Sequence, residues 1–400
     1  MLRKYNKKRT MSRFSASEYD QAGSITILVA SVLKPIRDIR HYHKLSWALK
    51  RHLPAARFYF AGYGKPQAAN EFCLFQGERL SFARLWASCR LLWLMWRLRP
   101  QVIMVCSLEL LPAAWCYRLF FGAYLILDLQ ENYEANVRTH EGYRLRLLWA
   151  YIVRLCYRFF LPRVQCVLYA EACYAEEIEW LRKHPHALWI ANKVRRHALP
   201  LAAASPFRLV LTGTLSRLFG LYEAVSLCRK LHALDSRYHL VLAGQLSPAL
   251  SAEELNFLNL PFIDNSQAAF EPLDYATIEE CLRQGGTGLM LYHPKASIAG
   301  RIPTKLYEYL SWAMPIVGTA HPLWIHTAEL YAPKSYYPLP LSQIEDPSTI
   351  AKLHEWLMQA LRYKPEPTVF FETTEAPKLQ AVAQQIEAHC LQRLERIKRK

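Results

Sequence analysis

Four hundred residues, 52% hydrophobic and 21% charged, describe a packed globular chain, exclude a disordered one and exceed the usual size of a single hydrophobic core. Ten cysteines scattered without a C-x-x-C pair, with no secretory signal in front, read as reduced thiols in a cytoplasmic protein. A net charge of +17 requires a negative partner, with nucleotide, nucleic acid and anionic lipid all qualifying.

In chain order, residues 1–23 read as a basic polar arm, with six cations in the first thirteen positions. Ser24 to Leu33, SITILVASVL, is a nearly unbroken apolar run closed by Lys34-Pro35, the pattern of a parallel strand buried on both faces. KPIRDIRHYHKL follows as a charged loop entering a helix near Tyr42. A loop beyond the carboxyl end of such a strand faces a ligand crevice, which makes Lys34, Asp38, Arg40 and Tyr42 candidate contacts. Alternation continues with a strand at 57–61, a helix at 79–97, a strand at 101–106, a helix at 109–120 and a strand at 123–129. A strand at 164–169, a helix at 173–183 and a short strand at 188–190 complete a first domain over 24–192. Gly62 and Gly64 lack a full G-x-G-x-x-G spacing and read as turn residues. An Ala- and Pro-rich hinge spans 193–206. A second alternating domain over 207–375 has strands at 207–211, 239–243, 287–292 and from Ile316, and helices at 274–282 and 347–362. A last helix occupies the segment 376–400. Strand and helix taking turns means parallel sheets covered on both faces.

Two helical segments carry an additional signal. RLWASCRLLWLMWRLRP (84–100) and YRLRLLWAYIVRLCYRFFLPR (143–163) interleave arginine with Trp, Tyr, Phe and Leu. No apolar run reaches the roughly 18 residues that a spanning helix needs, so these segments read either as helices lying on an anionic membrane surface or as buried helices with arginines at the rim. The histidine pairs His41/His43 and His184/His186 lack acidic or thiol partners at metal-ligand spacing and read as surface or loop residues.

The stretch SIAGRIPTKLYEYLSWAMPIVG, Ser297 to Gly318, concentrates the chemistry. Pro303 opens a helix, Leu306, Tyr309, Leu310 and Ala313 recur at helical spacing, and Lys305 and Glu308 share one side. Pro315 stops the helix before a short strand at Ile316 and Val317. A cation and a carboxylate beside a helix N-terminus, whose amides attract phosphate, outline a nucleotide-diphosphate site; the alternative is an amphipathic helix with a surface ion pair. P-T-K-L-Y-E-Y-L, then a small residue and P-I-V, resembles the donor-site helix of GT-B nucleotide-sugar glycosyltransferases, in particular retaining members of family four. K-P-x-x-D-x-R-x-Y after the first strand, SLELLPAAW from Ser107, and Asp128, Glu131 and Tyr133 in LILDLQENYEANV add to the likeness, which runs from about Ile25 to about Pro322.

The resemblance implies two Rossmann-like domains, with the last helix crossing back onto the first. It implies a donor site in which Glu308 holds the ribose hydroxyls, while Lys305, Arg301 and Arg217 share the diphosphate near Gly213 and Thr304. The base is expected near Gly244 and Phe270 to Asp274. Acceptor contact falls to Lys34, Asp38, Arg40 and Tyr42, transfer proceeds with retention, and Glu131 and Asp128 are the candidates for assisting the acceptor hydroxyl. The chain departs from the family at four positions. Gly300 stands where a second glutamate is usual. Thr214 and Phe219 replace the arginine and lysine of a G-R-x-x-x-x-K-G loop whose glycines, Gly213 and Gly220, remain. Gln130 replaces a histidine close to the donor sugar.

No D-x-D lies in a loop suited to Mg²⁺, so no metal and no cofactor are expected. The expected partners are a nucleotide-sugar, a glycan or lipid-linked acceptor and an anionic membrane surface, for a bacterial-type cytoplasmic enzyme peripheral on the inner face of the cell membrane. Two readings compete: a basic α/β protein that binds nucleic acid, although no nucleic-acid-binding motif is present, and an inactive GT-B scaffold.

Overall fold

A computed structural model describes residues 24–77, 84, 86–139, 145–197, 205–271, 273–295, 298–359 and 363–399. The basic arm read at 1–23 and part of the hinge read at 193–206 lie outside the described residues. The chain divides into two compact units, the first running to Ile190 and resuming at Ala376, the second spanning Ala191–Glu375.

Seven strands form the sheet of the first unit: β1 (Thr26–Pro35), β2 (Arg57–Tyr63), β3 (Glu71–Phe75), β4 (Val102–Val105), β5 (Tyr124–Leu129), β6 (Cys166–Tyr169) and β7 (Ala187–Trp189). Their order is β3-β2-β1-β4-β5-β6-β7, and every neighbouring pair is parallel. The apolar runs are buried on both faces, as Ile27, Leu28, Val102, Ile103, Leu125 and Ile126 illustrate. The sequence reading missed β3, because EFCLF is short and lies at the sheet edge.

A π-helical segment, Ile39–Ser46, follows β1 and leads into α1 (Trp47–His52). Further helices are α2 (Trp86–Leu98), α3 (Leu111–Phe121), α4 (Tyr133–Thr139) and α5 (Arg146–Phe160). The helix expected at 173–183 is two single turns, Tyr174–Glu177 and Glu179–Arg182, interrupted where Ile178 takes an extended ψ of 99°. Helices α2, α3 and α5 bury Leu91, Leu94, Met95, Ala114, Tyr117 and Tyr157 in one core against the sheet.

The second unit holds β8 (Arg208–Leu215), α6 (Leu221–Leu234), β9 (His239–Leu246), β10 (Ile263–Ala269), α7 (Tyr275–Arg283), β11 (Thr287–Met290), α8 (Thr304–Ser311), β12 (Ile316–Thr319), α9 (Pro322–Tyr331), β13 (Tyr336–Leu339) and α10 (Pro347–Met358). Its six strands run parallel in the order β10-β9-β8-β11-β12-β13. The edge strands β10 and β13 were not foreseen. IDNSQAA is polar and half-buried, and YYPL contains a proline, so neither shows an apolar run.

The final helix α11 (Leu379–Lys398) belongs to the first unit, as expected. There the Tyr124 hydroxyl donates to Gln385 Oε1 at 2.8 Å and His389 Nε2 donates to the Gly122 carbonyl at 2.9 Å. None of the ten cysteines is joined in a disulfide among the described residues. Among the described residues no helix is long and apolar enough to cross a membrane.

Candidate functional site

In an open parallel sheet, ligands bind beyond the carboxyl ends of the strands where the strand order reverses, because loops there leave toward opposite faces and open a crevice. The reversal lies between β8 and β11 in the second unit and between β1 and β4 in the first.

At the β8/β11 reversal the decisive side chain is Lys305. Pro303 caps α8 and the helix starts at Thr304, one residue later than expected, which puts Lys305 in its first turn. The helix is anchored from below by Tyr309, whose hydroxyl accepts from Thr212 N at 3.3 Å and donates to the Val210 carbonyl at 3.3 Å. Gly288 makes this packing possible, since a β-carbon there would lie 2.4 Å from the Tyr309 ring. Held in this way, Lys305 is 7% exposed and its ammonium has no hydrogen-bond partner among the described residues. Burial pulls its pKa down to about 8, against the opposing pull of the Glu308 carboxylate. The ammonium stands 5.4 Å from the centre of the Tyr292 ring and 5.8 Å from that of Phe219.

Gly213 and Gly220 shape the space around it. Gly213, at φ 79°, would bring a β-carbon to 3.0 Å from Lys305 Cε, and Gly220, at φ 79°, caps α6 where a β-carbon would meet the Leu291 carbonyl at 2.1 Å. Phe219, standing where the resembled family has a lysine, is thus directly beside a lysine from another element. Glu308 is half-buried one turn beyond Lys305. Burial raises the Tyr275 and Tyr292 hydroxyls well above the usual range, and the Glu308 charge adds to both shifts.

The other expected donor residues are dispersed around this centre. Thr304 is exposed at the start of α8, and the Arg301 carbonyl accepts from Trp324 Nε1 at 2.8 Å. Arg217 is paired with Glu254, which also takes the Tyr222 hydroxyl, and it lies over the Tyr222 ring. It lines an open cleft of about 620 Å³ with Leu218, Tyr222, Glu223, His293 and Lys295. His293 Nε2 donates to Glu223 Oε1 at 2.7 Å, while Glu223 Oε2 is buried without a hydrogen-bond partner among the described residues. Sequence reasoning missed Tyr292, His293 and Glu223. The polar pair at the end of TGLMLYH, where an apolar strand runs out at its carboxyl end, was the available signal for the first two.

At the β1/β4 reversal the buried charges are paired, Arg40 with Asp128 and His41 with Asp38. The Ser31 and Ser107 hydroxyls lie 3.2 Å apart and Ser107 Oγ accepts from Val32 N at 3.1 Å, tying the two strand ends together. Asp38 caps the π-helical segment, accepting from Arg40 N at 2.9 Å and His41 N at 3.2 Å. Although burial opposes ionisation, these bonds, His41 and Lys34 hold the Asp38 carboxyl well below its usual range. Arg40 is buried and donates from Nε to both Asp128 oxygens, at 2.9 and 3.1 Å, and from Nη1 to the Ile190 carbonyl at 2.8 Å. Gln130 Nε2 donates to Asp128 Oδ2 at 2.9 Å, so the amide standing where the resembled family has a histidine is turned inward. Asp128 is fully buried and Arg40 nearly so.

Lys34 and Glu131 do face outward: they are 3.5 Å apart and half-exposed, and Glu131 Oε2 accepts from Asn136 Nδ2 at 2.8 Å. Tyr42 lies against Phe60 with its hydroxyl 3.5 Å from Glu71 Oε1. Two histidines read as surface or loop residues are buried instead. His41 contacts Asp38 and the Ile36 carbonyl, and His184 Nε2 donates to the Val164 carbonyl at 3.0 Å. Among the described residues no group of His, Cys, Asp and Glu is arranged to hold a metal ion.

No family model and no curated protein matches the chain. Solved structures do. Sucrose-phosphate synthase from Thermosynechococcus elongatus superposes with a TM-score of 0.59 at 13% identity, over 91% of this chain and 99% of that one. The architecture is GT-B. UDP-GlcNAc 2-epimerase from Neisseria meningitidis, solved with UDP-GlcNAc bound, superposes with a TM-score of 0.53 at 9% identity, over 90% of this chain and 100% of that one. The fold is thus shared with a sucrose-phosphate synthase and a UDP-GlcNAc 2-epimerase.

Proposed function

We propose that the chain is a glycosyltransferase that moves a sugar from a nucleotide-diphosphate donor to a glycan or lipid-linked acceptor, with retention as in family four, in surface polysaccharide or glycolipid synthesis at the inner face of the cell membrane. The observation that carries the reading is Lys305: a buried ammonium without a hydrogen-bond partner among the described residues, at the strand-order reversal of a GT-B fold, is a cation held ready for an anion. Sugar transfer requires the departing diphosphate to be neutralised as the anomeric bond breaks. Lys305 supplies that charge in place of the lysine replaced by Phe219, assisted by Arg301, the amides at Gly213 and Thr304, and Arg217 once it leaves Glu254. Glu308 takes the ribose hydroxyls. Glu131, the solvent-facing carboxylate of the first unit's pair of candidates, assists the acceptor hydroxyl, with Lys34 and Tyr42 beside the acceptor. Asp38, Arg40 and Asp128 hold the loop that presents them.

The test is thermal stabilisation by a panel of UDP-, GDP- and ADP-sugars and their free diphosphates, on the unaltered chain and on Glu308→Ala and Lys305→Ala. A nucleotide at about 100 times its dissociation constant adds about 2.7 kcal/mol. The expected result is a shift with one base that both substitutions abolish. Absence of any shift removes the donor site and with it this reading. Sugar release that needs an acceptor then separates transfer from epimerisation.

A further inference from the structure

Fourteen of the twenty exposed large hydrophobic side chains among the described residues lie on one set of helices in the first unit: four on α2, two on α3 and eight between Leu145 and Phe159, on or just before α5. They include Trp86 at 68%, Trp93 at 57%, Trp96 at 56%, Phe120 at 79% and Leu147 at 66% exposure. The helices lie side by side: α2 packs against α3, and Trp115 of α3 meets Phe159 and Phe160 of α5 at ring distances of 5.3 and 6.0 Å. Their inner sides fill the core under the sheet, so these outer side chains are surplus to folding. A soluble monomer rarely exposes so large an apolar patch without using it.

The charge on this face decides what covers it. None of the three helices contains an acidic residue, and together they carry Arg90, Arg97, Arg118, Arg146, Arg154 and Arg158. Arg97 lies over the Trp93 ring and Arg163, just beyond α5, over Phe159. Arg154 is paired with Glu134 of α4, a neighbouring helix. A second copy of this chain would bring arginine against arginine, which association through this face cannot tolerate without counter-charges. An anionic bilayer supplies both complements: acyl chains for the apolar side chains and phosphate for the guanidinium groups.

We infer that α2, α3 and α5 form one membrane-inserting face, with their aromatic side chains seated about 5–10 Å into an anionic leaflet and their arginines at the headgroups. This goes beyond the peripheral location proposed above. It adds α3, which carries no conspicuous basic-aromatic pattern, and it requires penetration of the leaflet and not charge attraction alone. It does not depend on sugar transfer, since binding to vesicles needs no donor.

The experiment uses the full chain with vesicles of phosphatidylcholine alone and of phosphatidylcholine mixed with phosphatidylglycerol. Sedimentation should show binding that is stronger by about tenfold or more on the anionic vesicles. Lipids brominated on the acyl chain should quench the tryptophan fluorescence of the unaltered protein, a readout that needs no variant. Trp93→Ser with Trp96→Ser should weaken binding several-fold, as should Phe120→Ser alone, without changing the melting temperature, because all three side chains stand outside the core. Anionic binding without acyl-chain quenching, or binding indifferent to these substitutions, overturns the inference. So does a lipid-free dimer that the same substitutions dissociate, or displacement from the vesicles by single-stranded RNA at equal charge.

Discussion

The two strand-order reversals use buried charge in opposite ways. At β1/β4 the Arg40 guanidinium is locked onto Asp128 and the Ile190 carbonyl, and Gln130 takes up another carboxylate lone pair. At β8/β11 the Lys305 ammonium is buried as deeply, with no hydrogen-bond partner among the described residues. A paired buried charge is part of the scaffold, because removing one member strands the other. An unpaired buried charge is a standing cost, tolerated where a ligand will complete it. The comparison separates the residues that hold a loop from those that wait for a substrate, a distinction that residue type does not make.

The largest effect should come from breaking the satisfied side. Asp128→Ala leaves Arg40 buried and uncompensated and should lower stability by about 3–5 kcal/mol, read by urea unfolding. A change below about 1 kcal/mol would mean that the pair is solvated and that the contrast is false.

The unsatisfied side should respond to pH with a defined sign. The folded pKa of Lys305, about 8, lies below its ordinary value, so between pH 8 and about 10.5 the unfolded chain binds more protons and stability rises with pH. The buried ammonium costs about 3 kcal/mol in full below pH 8, and the cost is relieved as pH rises through that window. Lys305→Met should be more stable than the unaltered chain at neutral pH and should lose this slope; equal slopes in urea unfolding of the two proteins would place the titration elsewhere. A diphosphate that needs the ammonium should bind more weakly above pH 8, with the loss approaching about tenfold per pH unit.

The smallest effect lies at the end of α8. Ala313 sits at φ 51° in the position that closes the helix, with Met314 N bonded to the Tyr309 carbonyl at 3.0 Å and Ala313 N to the Leu310 carbonyl at 3.1 Å. Glycine adopts this conformation without the β-carbon penalty, so Ala313→Gly should stabilise by about 0.5–1 kcal/mol. A loss of stability would show that the Ala313 methyl packs more usefully than its backbone is strained.

Much of this arrangement was legible in the residues. Apolar runs such as SITILVASVL and TGLML dictate parallel strands whatever surrounds them, and the segment PTKLYEYL carries its own helix signals together with Lys305 and Glu308. The strands β3, β10 and β13 were not legible, because a half-buried edge strand need not be apolar. Asp38, Arg40, Asp128 and Lys305 are all charged residues near strand ends or in first helical turns, and the sequence alone read each of them as a candidate site residue. What the sequence by itself determined is the alternation of strands and helices and the helix that bears the lysine and the glutamate, because those follow from local periodicity and turn chemistry. Only the tertiary structure decided which charges are paired and which is left alone, and that α3 joins α2 and α5 in one apolar face, because pairing and burial depend on residues far apart in the chain, as with Arg40 and Asp128 across 88 positions.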